Sequence, residues 1–215
     1  MRRVTGAALA LLAAGCAAPA PRPAVPLAAA PIGVRVEQIL ADARKGEHEA
    51  DPTVRNQLAE DAARQAEACL AAEPQAAACL YGHAIALGLE TRAHPVHAGD
   101  SLKRMLADLE AAEAADPGYD EAGPARVRAL VLTRAPGWPL GPGDPATGVA
   151  AARRAAELRP QYPPNLLALA EALAKSGDAP DAHTAYRRAR DQALALPASA
   201  DREEWLREAD RGLQR

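Results

Sequence analysis

The sequence predicts an all-α chain, a stack of antiparallel helix pairs, and three observations carry that prediction. Gly143-Asp144-Pro145 and Gly177-Asp178-Ala179 each open a helical stretch, and the two Gly-Asp pairs stand 34 residues apart. In step with them Gly148 answers Ala182, Ala152 answers Tyr186 and Ala155 answers Ala189, so small residues recur where two helices must approach closely. A second ruler runs through Pro74, Pro117 and Pro160, each 43 residues from the next, with Cys69, Ala112 and Ala155 five residues before each proline. The composition agrees: among 215 residues there is no phenylalanine, with two tryptophans and four tyrosines, so alanine and leucine must fill the core. Such a core suits closely packed helices, and no alternating strand pattern appears.

A helix–turn–helix unit repeating at 34 residues is the tetratricopeptide spacing. The fold class is therefore a tetratricopeptide-like right-handed superhelix of antiparallel helix pairs. The longer ruler fits one insertion in each of two repeats, because Thr91 to Asp100 and Ala135 to Asp144 occupy equivalent places. Both read as long connections inside a hairpin. In a stacked array equivalent insertions fall on one side, where function is often added.

The first residues stand apart from the fold. Arg2 and Arg3 precede an apolar run from Ala7 to Ala14, and Gly15 lies directly before Cys16, the layout of a secretory signal with a small residue at the cleavage point. This stretch resembles a bacterial lipoprotein signal peptide. The resemblance makes Leu12-Ala13-Ala14-Gly15-Cys16 the lipobox and Cys16 the acylated first residue of the mature chain, although Ala13 stands where leucine is usual. The other reading is an ordinary secretory signal cut nearby, with Cys16 incidental. The apolar run falls short of the roughly 20 residues that span a bilayer. Residues 16–33 are rich in proline and alanine and read as an extended tether, leaving 34–215 for the repeat domain. Ala17 after the cysteine implies, within the lipoprotein family, outer-membrane sorting. The expected location is the bacterial cell envelope, lipid-anchored and facing the periplasm.

Without Arg2 and Arg3 the balance is 23 basic residues against 28 acidic, a net charge of −5. No basic patch argues for nucleic acid. Cys69 and Cys79 lie five residues either side of Pro74 and face each other across a hairpin turning there. An oxidising compartment permits a disulfide, and two small buried hydrophobes in alanine-like slots fit the same positions.

In order, the helices run Val34–Arg44, Thr53–Glu73 after Asp51-Pro52, and Ala76–Leu89. Leu58, Ala62, Ala66, Cys69 and Leu70 form the apolar stripe of the second. Asp100-Ser101 caps a helix to Ala115 that carries Leu102, Met105, Leu106, Leu109 and Ala112 on one stripe, and Pro117-Gly118 stops it. Gly123-Pro124 opens a helix to Arg134, with proline in a first-turn position where its missing donor costs little. Helices Pro145–Leu158, Asn165–Ser176 and Ala179–Leu194 follow, and Asp201–Leu213, carrying Trp205 and Leu206, caps the stack.

The stretch from Gly123 to Pro139, the Gly143-Asp144-Pro145 after it, and Leu158-Arg-Pro-Gln-Tyr-Pro-Pro-Asn165 with Leu169-Ala-Glu-Ala172 resemble a group of bacterial tetratricopeptide proteins. That group is placed with the T-component lipoproteins of tripartite ATP-independent periplasmic (TRAP) transporters. The similarity covers about residues 120–190, and the first half matches in architecture only. The resemblance implies an accessory of a solute-import system that docks a periplasmic solute-binding protein.

The chain offers little for catalysis. His94 and His97 sit three apart beside Asp100, but no third or fourth ligand is near in sequence, so a solvated loop outweighs a metal site. His83 reads as a half-buried surface residue. Glu60, Arg64 and Glu67 are the solvated face of their helix. No nucleophile with a base, glycine-rich phosphate loop or zinc signature is present, so the chain reads as a non-enzyme without cofactor or metal.

Trp138 and Leu140 stand in a loop of three prolines and three glycines. They are either a rigid apolar contact for a partner or a plug folded back over the end of the helix pair. Tetratricopeptide stacks bind through a concave surface made by the first helix of each pair. By phase with Ala84, Ala129 and Ala170, that surface should carry Tyr81, Ile85, Arg126, Leu130, Thr133 and Glu171. Two functions follow: a transport accessory that docks a solute-binding protein, or a general envelope-assembly scaffold touching no small molecule, with homo-oligomers open to both. An apolar pocket or pore through the stack favours the first, and a filled alanine–leucine core the second.

Overall fold

The computed structural model describes residues 31–94 and 98–214. The signal segment 1–15, Cys16 and nearly all of the tether lie outside the described residues, as does His97. Nine helices are described: α1 (Ile32–His48), α2 (Pro52–Ala72), α3 (Ala77–Ala93), α4 (Ala98–Ala115), α5 (Tyr119–Arg134), α6 (Pro145–Leu158), α7 (Pro163–Lys175), α8 (Ala179–Leu194) and α9 (Ala200–Leu213). Each packs on the next in sequence, and α1, α3, α5, α7 and α9 also touch one another in series. That is a row of four hairpins with a ninth helix closing the end.

Local chemistry explains where the second helix of a pair starts. Asp51, Asp144 and Asp178 each accept a hydrogen bond from a backbone N–H of the turn they open, and each is followed by proline at one of the first two helical positions. Such caps satisfy otherwise orphaned donors and contribute about 1 kcal/mol apiece. Ser199 caps α9 in the same way. The Asp and Gly-Asp signals therefore mark real boundaries.

Close packing of small residues supplies the core. Ala62, Ala66, Ala84, Ala112, Ala129, Ala152, Ala155, Ala170 and Ala172 have no exposed surface, and Leu109, Leu166 and Ile39 fill between them. Gly148 shows how near the backbones come: a Cβ there would lie 2.7 Å from Thr133 Oγ1 and 3.4 Å from the Ala129 carbonyl oxygen, so α6 can lie on α5 only with glycine at this place. Cys69 and Cys79 join α2 to α3 through a disulfide, with Cα atoms 5.3 Å apart and neither residue exposed.

Two expectations change. The segment 91–100 is not a long loop, because α3 continues to Ala93 and α4 begins at Ala98 with Asp100 inside its first turn. Four residues connect them, and Thr91 Oγ1 donates to the Leu87 carbonyl inside the helix. The equivalent connection between α5 and α6 keeps its full length, so the two insertions share a place and not a shape. The other change is at the start of α5, where Asp120, Glu121 and Ala122 have φ of 46°, 55° and 64° before the regular helix resumes at Gly123. Three consecutive non-glycine residues in the left-handed region cost of order 1 kcal/mol or more each, so surrounding contacts must hold them.

Candidate functional site

Those contacts come from the inner face of the stack. Asp120 accepts from the Tyr81 hydroxyl at 2.7 Å and from the Arg126 guanidinium at 2.9 Å. Arg126 also donates to the carbonyls of Asp120 and Glu121, and to Asn165 Oδ1 at 3.1 Å. The Asn165 amide nitrogen in turn donates to the carbonyls of Glu121 at 2.9 Å and Ala155 at 3.1 Å. Every one of these groups satisfies another, which is what makes burial of Asn165, with no exposed surface, tolerable. A Cβ on Gly123 would sit 2.8 Å from the Tyr81 oxygen, so glycine here lets the phenol reach Asp120.

Aromatic rings extend the cluster. Arg126 stacks over Tyr162 at 5.3 Å, Tyr162 meets Trp205 edge to face at 5.7 Å, and Tyr81 meets Tyr119 likewise at 5.5 Å. Burial pushes the Tyr81 hydroxyl far above its ordinary range, with Arg126 opposing and Asp120 reinforcing the shift. Burial raises Tyr119 and Tyr162 too. All three phenols stay protonated at neutral pH and serve as donors and apolar surface, not as bases.

The cluster floors a groove of about 540 Å³ between α1 on one wall and α9 on the other. Leu40, Ile85, Met105, Tyr162 and Trp205 supply its apolar surface, and Arg44, Glu47, Arg92 and Asp201 its rim. An apolar floor with a charged rim can take side chains of another polypeptide and orient them. Among the described residues no group of three or more His, Cys, Asp or Glu could hold a metal ion.

The concave residues expected from phase divide. Ile85 and Arg126 line the groove, and Tyr81, 2 % exposed, lies in its floor with its hydroxyl held by Asp120. Glu171 lies farther along, in a bidentate pair with Arg134 at 2.7 and 2.6 Å, and it borders a separate cleft with Lys175 and Tyr186. Leu130 is half-buried and not part of the groove lining. Thr133 is a correction: it is 3 % exposed and lies against Gly148 of α6, because the close approach of α5 and α6 takes up its face of the helix. His83 is half-buried and bonds Asp108 at 2.7 Å, tying α3 to α4.

The plug reading of Trp138 is overturned. Trp138 is 91 % exposed and Leu140 79 %, the two most exposed large apolar side chains among the described residues. They stand at the tip of a turn closed by hydrogen bonds from Gly143 N to Pro136 O and from Asp144 N to Leu132 O.

Sequence reasoning missed Asp120, Asn165, Tyr162 and Trp205 as site residues. One signal was available: Tyr119 and Tyr162 stand two residues after Pro117 and Pro160, on the 43-residue ruler itself.

No family model and no curated protein sequence matches the chain. Among solved structures it is similar to a thermophilic tetratricopeptide (TPR) protein of Thermus thermophilus, at 20 % identity and a TM-score of 0.54, over 83 % of this chain and 91 % of that one. At that identity the likeness speaks for the fold, and together with the helix pairs it makes this an all-α, tetratricopeptide-like chain.

Proposed function

We propose that the chain is a non-enzymatic protein-interaction module of the bacterial cell envelope, tethered through Cys16 and gripping a partner protein in the groove between α1 and α9. The observation that carries this reading is the groove itself. Its floor is rigid, since Asp120, Arg126 and Asn165 lock one another, and its exposed charges stand on the rim. A preformed surface loses little conformational freedom when a partner binds.

Two finer readings remain, and each has its own support. The resemblance to T-component lipoproteins supports an accessory role in solute import, docking a periplasmic solute-binding protein. The core among the described residues is filled by alanine and leucine, and the groove is an open trough instead of a closed apolar pocket or pore. That favours the envelope-assembly scaffold, which handles proteins and no small solute.

The test is in-cell crosslinking of the full-length protein against a variant carrying Arg44→Glu, Glu47→Arg and Asp201→Lys, all at the groove rim. We expect one set of partners to be captured by the native chain and lost from the variant at unchanged thermal stability. Envelope-assembly proteins in that set support the scaffold, and a solute-binding protein supports the transport role. An identical set from both chains rejects the groove.

A further inference from the structure

The loop that joins α5 to α6 has an unusual chemistry. From Ala135 to Gly143 it reads Ala-Pro-Gly-Trp-Pro-Leu-Gly-Pro-Gly, nine residues without a charged group and with the indole N–H as the one polar side-chain atom. Four of its six backbone N–H groups find acceptors within the loop or at the end of α5. Three of the nine residues are prolines and bring no N–H. Ala135 N donates to Val131 O, Leu140 N and Gly141 N both to Gly137 O, and Gly143 N to Pro136 O. The turn is also tightly built: a Cβ on Gly141 would fall 2.6 Å from Pro136 O, and one on Gly143 would collide with the carbonyls of Ala135 and Pro136. Asp100 and Lys103 of α4, which border a cleft with the tip, are exposed and stand 3.5 Å apart.

A protein interface normally surrounds its apolar centre with polar groups that hydrogen-bond across it. Among the side chains of the loop itself only the indole N–H could do so. An apolar medium sets the opposite requirement, since every backbone donor carried into it must already be satisfied. Tryptophan also belongs at the boundary between water and acyl chains, where its ring is amphipathic. We propose that Trp138 and Leu140 dip into the surface of a lipid bilayer and form a second membrane contact, distinct from the Cys16 anchor.

The geometry of the chain allows it. Consecutive helices joined by short turns run antiparallel, so α1 and α5 share a direction, and the α5–α6 loop lies at the edge of the stack opposite Pro31, where the tether enters. A helix of 17 residues such as α1 is about 25 Å long. The 15 residues from Cys16 to Ala30 would extend to about 45 Å in a polyproline conformation. On the tether reading that length exceeds one helix, so the loop edge and an anchored Cys16 can meet one membrane. The inference rests on the tether reading for this orientation alone.

The experiment separates the two. Full-length chain carrying Cys16→Ser and Trp205→Phe, in which Trp138 is the one tryptophan left of two, is held through an N-terminal histidine tag on nickel-chelating vesicles of phosphatidylethanolamine and phosphatidylglycerol. Brominated acyl chains are expected to quench Trp138 emission about twofold, with a shift to the blue, because the ring sits at the acyl boundary. The companion Trp138→Phe chain, which keeps Trp205 in the groove, is expected to show no quenching. Unquenched Trp138, or equal quenching of both tryptophans, overturns the proposal. Flotation of native chain against Cys16→Ser reads the anchor independently, so its failure leaves the quenching result standing.

Discussion

The two halves of the stack reach the same hairpin geometry by different means. In the C-terminal half one large core runs through α5, α6, α7, α8 and α9, from Ala129 to Ala209, with Leu166, Leu167, Leu169 and Leu173 between small residues, and a small group of Ala122, Ala125 and Ala155 lies apart from it. In the N-terminal half the apolar contacts fall into separate groups, Val36 with the two cysteines, Ile39 with Ala59, Ala62 and Ala66, and Leu80 with Met105 and Leu109. There a disulfide crosses between α2 and α3, and Arg35 and Asp42 are buried on α1. Packing alone sustains a regular repeat where small residues recur in strict phase, and a covalent link stands in where the core is divided.

The sharpest way to break the contrast is to open the large core. Leu166 has no exposed surface, and Leu166→Ala is expected to cost about 3–4 kcal/mol in urea unfolding. Hydrogen exchange should accelerate across α5–α8, and an effect confined to α7 contradicts a single core. Asn165→Ala comes next, at about 2–3 kcal/mol, since it removes the hydrogen bonds that tie Arg126 and the carbonyls of Glu121 and Ala155 together at a position with no exposed surface. Its signature is local: the 120–122 turn should lose protection and Tyr162 fluorescence should change.

Reduction of Cys69–Cys79 is expected to cost about 2–3 kcal/mol, as for a short closed loop. If the halves differ as described, the loss appears in α1–α3 exchange and leaves α7–α8 unchanged; uniform loss says the halves are one unit. The smallest effect is electrostatic. Burial raises the Glu208 carboxyl above its usual 4.5, with Arg134 opposing and Glu171 reinforcing the rise. A carboxylate whose folded pKa is raised destabilises the fold when charged, and that penalty fades as pH falls through the folded pKa towards 4.5. Glu208→Gln should therefore raise the melting temperature at pH 7 and match the native chain near pH 4. A gain that persists at pH 4 refutes the cause.

What was legible in the chain followed from local rules. Asp51, Asp144 and Asp178 announce caps, the prolines at 74, 117 and 160 mark helix ends, and the answering small residues give the core of α6–α8. The polar cluster was not legible, because nothing near Asp120 signals three left-handed residues. That turn exists only because Arg126 and Asn165, six and 45 positions away, satisfy its carbonyls. Thr133 misled for a related reason: helical phase places a residue on a face without saying which neighbour covers it. Trp138 misled in the other direction, since a loop full of proline and glycine can hold an aromatic ring outward as firmly as inward.

The alanine core has a thermal consequence. Helices brought this close bury much backbone along with little side chain, and the chain has no phenylalanine to add apolar area. Apolar exposure raises the heat capacity of unfolding and polar exposure lowers it. The heat-capacity increment per residue should then sit below the usual ~12–15 cal/mol/K, and the dependence of stability on temperature should be shallow. Such a domain trades a high maximum for a wide plateau, and keeps its groove in shape across a broad range of temperatures.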